Sequence, residues 1–180
     1  GGTRVYDGTN LFNASLMSLG GLVGSETLGL TGNGTLADKN VGTNKALTLT
    51  SVALSNGTGL ASNYSLSPNP TTANITQAQI TGVSGVSAAS RVYDGSTAAA
   101  LTTTGAVIAG MVANDNLTVA SATGSFDNKN VGTGKTVNIS NLVLGGADAL
   151  NYNVSAVSAS PTTANITQAQ ITGVSGVSAA

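Results

Sequence analysis

Apolar and polar residues alternate along much of this chain with the period of two that a half-buried strand requires. In residues 45–54, KALTLTSVAL, Leu47 and Leu49 fall on one face; the phase then slips by one residue, and Val52 and Leu54 carry the pattern on. Residues 135–144, KTVNISNLVL, make the same slip, with Val137 and Ile139 followed by Leu142 and Leu144. Such a slip turns every later side chain to the other face unless the backbone bulges or bends, so each stretch predicts a bulge or corner between two strand segments. Shorter runs predict strands at 3–7, 27–31, 64–67 and 72–76, and again at 90–94, 116–120, 152–155 and 163–167. Helical spacing appears in Leu16, Leu19 and Val23 and in Ile108, Met111 and Val112, but Gly20, Gly21 and Gly110 interrupt these runs and leave room for no more than a short helical turn.

The pattern occurs twice. RVYDG stands at 4–8 and at 91–95, and PTTANITQAQITGVSGVSAA at 70–89 returns letter for letter at 161–180. Between them GLVGSE (21–26) matches GMVAND (110–115), ADKNVGTNK (37–45) matches FDNKNVGTGK (126–135), and SNYSL (62–66) matches LNYNV (150–154). The offset grows from 87 to 91 residues, as small insertions in surface loops produce. A period of about 90 residues is domain-sized and far exceeds the ~20–45 residues of a solenoid coil. The expected fold is therefore all-β, two tandem Ig-like or Greek-key sandwiches, with small β-grasp-like domains carrying a short helical turn as the alternative.

The stretch joining the copies, 79–90, is strand-like at Ile80 and Val83 and leads straight into the second RVYDG. The expected division is then repeat one at 1–78, lacking its own first strand, repeat two at 79–168, and at 169–180 the first strand of a following repeat. On this division Ile171, Thr172, Gly173 and Val174 have no partner within the chain and form a strand for a neighbouring subunit. The chain reads as an excerpt from something longer.

Composition narrows the function. Only 7% of the 180 residues are charged and the net charge is −1, so no basic stripe exists to bind nucleic acid or an anionic membrane surface. The 41% of hydrophobic residues includes only 3% aromatics, with no Trp. Apolar runs fall far short of a membrane span. Cys and His are absent, which removes a disulfide framework, thiol chemistry and the commonest general base.

Candidate chemistry reads mostly as architecture. In Arg4, Tyr6, Asp7, Gly8 and again in Arg91, Tyr93, Asp94, Gly95, a carboxylate beside a phenol suggests acid–base work, but a second tuned group is lacking. The structural reading is a strand end at which Tyr packs, Asp bonds the turn backbone and Gly takes a positive φ. Tyr152 follows Asp148 by four residues, as in a tyrosine corner, whereas Tyr64 has Leu60 at that spacing. Asp38–Asn40, Asp127–Asn130 and Asn114–Asn116 offer oxygen ligands but lack any calcium-loop spacing and read as turns. Lys39, Lys45, Lys129 and Lys135 lie near Asn and acidic residues, a setting in which surface β-domains form Lys–Asn cross-links; solvated lysines are the default. No catalytic residue, cofactor or metal site is assigned.

Taken in order, RVYDG, GLVGSE, DKNVGTNK, SNYSL and TTANIT resemble the YDG-type repeats, related to the MBG repeats, over nearly all of both copies. Copy one departs from the family at Gly59 and Leu60, which replace the usual acidic approach to the Asn-Tyr pair. The resemblance implies a non-enzymatic structural or spacer module from a long extracellular protein of the bacterial cell surface, such as a filamentous-haemagglutinin-like adhesin. Implied partners are neighbouring repeats or copies of itself, head to tail. A module that binds a host glycan or protein is the alternative. No cofactor is implied.

Overall fold

A computed structural model describes residues 2–67, 71–154 and 159–176. The all-β expectation holds. In chain order the strands are β1 (Thr3–Val5), β2 (Leu11–Asn13), β3 (Leu28–Leu36), β4 (Gly42–Thr48), β5 (Val52–Asn56), β6 (Thr71–Thr76), β7 (Ala78–Gln79), β8 (Gly82–Ser84) and β9 (Ser87–Ala88). They continue with β10 (Arg91–Val92), β11 (Ala98–Ala99), β12 (Leu101–Thr102), β13 (Val107–Ala109), β14 (Thr118–Phe126), β15 (Gly132–Gly145), β16 (Tyr152–Asn153) and β17 (Thr162–Thr167). The chain divides into two units that are not contiguous in sequence. The first contains Gly1–Gln79 with Met111–Asp115 and Leu150–Asn153; the second contains Ile80–Gly110, Asn116–Ala149 and Val154–Ala180.

In the first unit the sheet order is β1-β6-β4-β3-β2, with β5 pairing β3 off that path. β1 runs parallel to β6 and the other pairs are antiparallel. β3 serves two partners: its first half pairs with β5 and its second half with β2 and β4. It bends at Gly32, whose φ is +88° and whose missing Cβ would lie 2.0 Å from the Ser51 carbonyl oxygen. A strand that changes partner at a bend is how a small sheet curls over its own core. That core holds Phe12, Leu36, Ala73 and Ile75, with Tyr6 against it, all nearly inaccessible. In β6, TTANIT, Ala73 and Ile75 point in and the intervening polar residues point out, which accounts for the strand.

The second unit repeats the plan in the order β10-β17-β15-β14-β11, around Ala99, Phe126, Val137, Ala164 and Ile166. The phase slip seen in sequence is realised differently in the two copies. In the first, a turn with Val52 N–H bonded to the Leu49 carbonyl separates β4 from β5. In the second, β15 runs unbroken while its pairing with β14 shifts register twice, and Asn141 takes φ +51°.

The spacing at 108–112, which left room for at most a short helical turn, makes none, because Val107–Ala109 is strand β13, held by β8 with Ile108 opposite Val83. Its first-copy counterpart has no β8 beside it and stays irregular, with a 3-10 turn just upstream at Ala14–Leu16. The strand expected at 64–67 is likewise absent, since β16 forms by pairing with β7 and, among the described residues, no strand pairs with Tyr64 in that way. Ser155, in the strand expected at 152–155, lies outside the described residues.

Candidate functional site

Each YDG motif builds a self-locking turn. Arg4 folds back onto Asp7 at 2.6 Å and donates to the Val5 and Thr9 carbonyls at 3.1 and 2.5 Å. Asp7 Oδ1 accepts from the Thr9 N–H and hydroxyl, both at 2.9 Å. In the second copy Arg91 pairs with Asp94, donates to the Ser96 carbonyl and lies 5.4 Å over the Phe126 ring, while Asp94 accepts from the Ser96 N–H at 2.8 Å. The Arg91 guanidinium and the Ser96 hydrogen bonds bring the Asp94 carboxyl down to about 2. Burial works against ionisation of Asp7, but the Thr9 hydrogen bonds and Arg4 outweigh it and hold the carboxyl low.

Tyr6 does something further. In the first unit its hydroxyl donates to Asp115 Oδ2 at 2.8 Å. Tyr152 donates to the same oxygen at 2.6 Å, and Lys39 Nζ holds Oδ1 at 2.8 Å. The Tyr6 and Tyr152 rings meet edge to face at 5.5 Å, and the Lys39 ammonium lies 5.8 Å from the centre of the Tyr6 ring. Val112 N–H donates to the Tyr152 hydroxyl at 2.9 Å. Beside this cluster Asn151, only 4% exposed, accepts from the Val41 N–H at 2.9 Å and donates to Asn40 Oδ1 at 3.2 Å. Gln77 and Gln79 donate to the Leu150 and Asn153 carbonyls, and β7 and β16 pair in parallel. Every polar group at the centre is answered, which is what keeps a buried network from costing stability. Gly8 has φ +80° and would place a Cβ 2.8 Å from Val112 Cγ1, so it meets both a backbone and a space requirement.

Tyr152 is therefore no local corner. Its hydroxyl reaches Val112 and Asp115, and the Asp148 carboxylate takes the Asn116 N–H at 2.9 Å. The sequence offered Lys39 as a cross-linking lysine and Asp115, within Asn114–Asn116, as an oxygen ligand, but joined neither to the tyrosines, and it did not point to Asn151. A signal existed: in a chain this poor in charge, Lys39 and Asp115 each have a counterpart in the other copy, Lys129 and Glu26. Two of the other lysines form ion pairs within their own copies. Lys45 pairs with Asp38 at 2.7 Å, and Lys135 pairs with Asp127 and donates to Asn128, both at 2.8 Å. Asp38 and Asn128 also accept turn N–H groups from Asn40 and Asn130.

The counterparts of the cluster are separate. Tyr64 donates to Glu26 at 2.5 Å and accepts from the Val23 N–H at 3.1 Å, the same pattern as Tyr152, Asp115 and Val112. Among the described residues no cation pairs with Glu26, and no side-chain hydrogen bond engages the Tyr93 hydroxyl or Lys129. Tyr64 lines an open groove in the first unit, about 530 Å³ in volume, walled by Leu19, Leu28, Leu30, Leu49 and Leu54 with Leu47 at its floor. Ile171, Thr172, Gly173 and Val174 are irregular and exposed, Ile171 by 85% and Val174 by 84%. The last residues of that expected strand, 177–180, lie outside the described residues.

The cluster also sets a pH window. Burial opposes ionisation of Asp115, but hydrogen bonds from Lys39, Tyr152 and Tyr6 prevail and hold its carboxyl below the usual 3.8. Burial and then Asp115 push the Tyr152 hydroxyl well above its usual 10.0, and burial does the same for Tyr6 despite Lys39. A lowered acid stabilises the fold above its unfolded value and loses that contribution as pH falls through the folded one. A raised phenol does the opposite at the alkaline end. The thermal midpoint should therefore hold between about pH 4 and 10 and fall on both sides. Asp7, Asp38, Asp94 and Asp127 are lowered too, so they share the acid limb. Asp115→Asn should flatten that limb in part, and an acid limb unchanged by the substitution would remove Asp115 from the account.

No curated protein and no solved structure matches the chain. The YDG domain pattern matches residues 1–73 and again 76–164, taking in both RVYDG turns and the Tyr, Lys and acidic positions around them. The chain belongs to the YDG domain family.

Proposed function

We propose that this chain is a spacer, two consecutive repeats of a long extracellular protein of the bacterial surface, an adhesin or filament, with a mechanical and not a catalytic role. One observation supports this above the others. Residues 80–88 belong to the second unit and supply its strands β8 and β9, although in sequence they follow the last strand of the first copy. The same letters return after the last strand of the second copy. Copy one thus ends with the opening strands of copy two, and copy two ends with the same letters, a sequence rule that extends to any number of copies. The low charge fits the role, since uncharged polar strand faces bring repeats together without burying ions. A glycan- or host-protein-binding module has less support: Phe12 and Phe126 are buried, and Tyr6 and Tyr152 are engaged with Asp115.

The test is the size of concatenated copies in solution. For a spacer, doubling the number of repeats should about double the radius of gyration measured by small-angle scattering. A collapsed globule would grow only about 1.3-fold, and that result would sink the spacer reading. Saturable binding of one repeat to a glycan or matrix protein would favour the adhesive reading.

A further inference from the structure

Residues 77–85 and 168–176 have the same sequence and opposite fates. In the second unit Ile80 and Val83 are 1% and 2% exposed. There β8 lies between β13 and Ala159, and the Ser160 N–H donates to the Val83 carbonyl at 2.9 Å. Ile171 and Val174, their counterparts, are almost fully exposed. The first unit has the converse defect. The groove lined by Leu19, Leu28, Leu30, Leu49 and Leu54 stands at the positions equivalent to Ile108, Leu117, Val119, Ile139 and Leu144 of the second unit, the unit that includes β8. Exposed apolar surface next to an unpaired strand edge is the usual mark of a strand-accepting site.

A second, independent set of residues gives the same match. Glu26 and Tyr64 reproduce the Asp115–Tyr152 half of the closed cluster, and Tyr93 and Lys129 reproduce the Tyr6–Lys39 half. Burial follows closure. Tyr152 and Tyr6 are 4% and 3% exposed, whereas Tyr64 and Tyr93 are half-buried and Lys129 is exposed. Val112 abuts Gly8; its counterpart Val23 is 70% exposed, and beside Gly95 there is open space. Asn151 is buried, whereas Asn63 in the same position of the first copy is exposed.

We propose that the first unit receives the second unit of another copy of this chain: residues 168–176 enter the leucine groove, and Tyr93 and Lys129 close on Glu26 and Tyr64. This rests on the repeat reading above and adds to it the partner and the residues that select it. A chain with one donor and one acceptor makes a heterologous contact, which propagates unless it closes into a ring. Glu26 against Lys129 supplies the charge complementarity that fixes orientation and rejects wrong pairings.

The experiment is light scattering on the 180-residue chain over a range of concentrations. The mass-average size should rise at least about twofold as concentration increases. Ile171→Asp with Val174→Asp, at exposed positions, should leave monomers with an unchanged circular dichroism spectrum. Glu26→Lys alone and Lys129→Glu alone should each weaken assembly about tenfold by facing like charges, and mixing those two chains should restore it. A wild-type chain that stays monomeric overturns the proposal, as does a doubly Asp-substituted chain that assembles unchanged. A groove that takes a small apolar ligand instead leaves the chain monomeric and gives the first of these results. The spacer reading is judged separately, because repeats joined in one polypeptide can extend in equal steps whether or not separate chains associate.

Discussion

Changing Ile80 and Val83 together to alanine should destabilise the second unit by about 4–6 kcal/mol, whereas the same changes at Ile171 and Val174 should cost a dilute monomer less than about 0.5 kcal/mol. The first pair is 1% and 2% exposed, the second 85% and 84%. Truncating a buried Ile removes about 2–5 kcal/mol, and full burial of a Val contributes about 1.5–3 kcal/mol. The two are neighbours, so their losses fall somewhat short of the sum. Weakening β8 also deprives β13 of its only paired strand among the described residues, which adds to the loss. A small domain has about 5–15 kcal/mol in all, so the first variant should be partly unfolded in mild urea. Urea midpoints by circular dichroism decide the matter. Because the surrounding nine letters are identical in both places, local propensity cannot explain a difference; only tertiary context can. Equal losses at the two sites would refute the assignment of residues 80–88 to the second unit.

That contrast also marks the limit of what the sequence made legible. The alternation in TTANIT and the phase slips near 50 and 140 led directly to β6, β17, the turn between β4 and β5 and the register shifts of β15, because period and burial are local properties of a strand. The spacing at 108–112 stayed ambiguous, since three apolar residues fit a helix as well as a strand until β8 is known to lie alongside. The Asp115 cluster was legible only in part. The Tyr, Lys and acidic positions recur in step, and that repetition alone singles them out. Which copy's tyrosine meets which copy's acid is a different matter. Tyr6 bonds Asp115 across 109 residues and Lys39 bonds it across 76, so within the first unit the partners come from different copies. Comparing one repeat with the other aligns equivalent residues, and these contacts join non-equivalent ones.

Asp115→Ala should cost the first unit about 2–4 kcal/mol, with the thermal midpoint falling by about 10–20 °C. The side chain is 3% exposed and accepts from three donors. Its loss strands the Tyr6 and Tyr152 hydroxyls, and a buried donor left unsatisfied costs about 1–3 kcal/mol. Lys39 adds little, because its side chain is 37% exposed and can turn to water. Asp115→Asn keeps an acceptor and should lose about half as much. Tyr152→Phe removes one donor to Asp115 and the acceptor of the Val112 N–H, at about 1–2 kcal/mol. In a double-mutant cycle, Tyr6→Phe should cost less in the Asp115→Ala background than in the wild type, since the hydroxyl has already lost its acceptor. Glu26→Ala is the internal control. Glu26 holds the equivalent position and the equivalent tyrosine, yet no cation pairs with it among the described residues and Tyr64 remains half-exposed, so its loss in a dilute monomer should stay within about 0.5 kcal/mol. If Glu26→Ala proved as costly as Asp115→Ala, the acid–tyrosine pair would be a stabilising feature of every YDG repeat by itself. If the costs differ as expected, the pair gains its strength only when a second tyrosine and a lysine close over it, and the motif's Tyr is then the half of a joint that each copy presents to another.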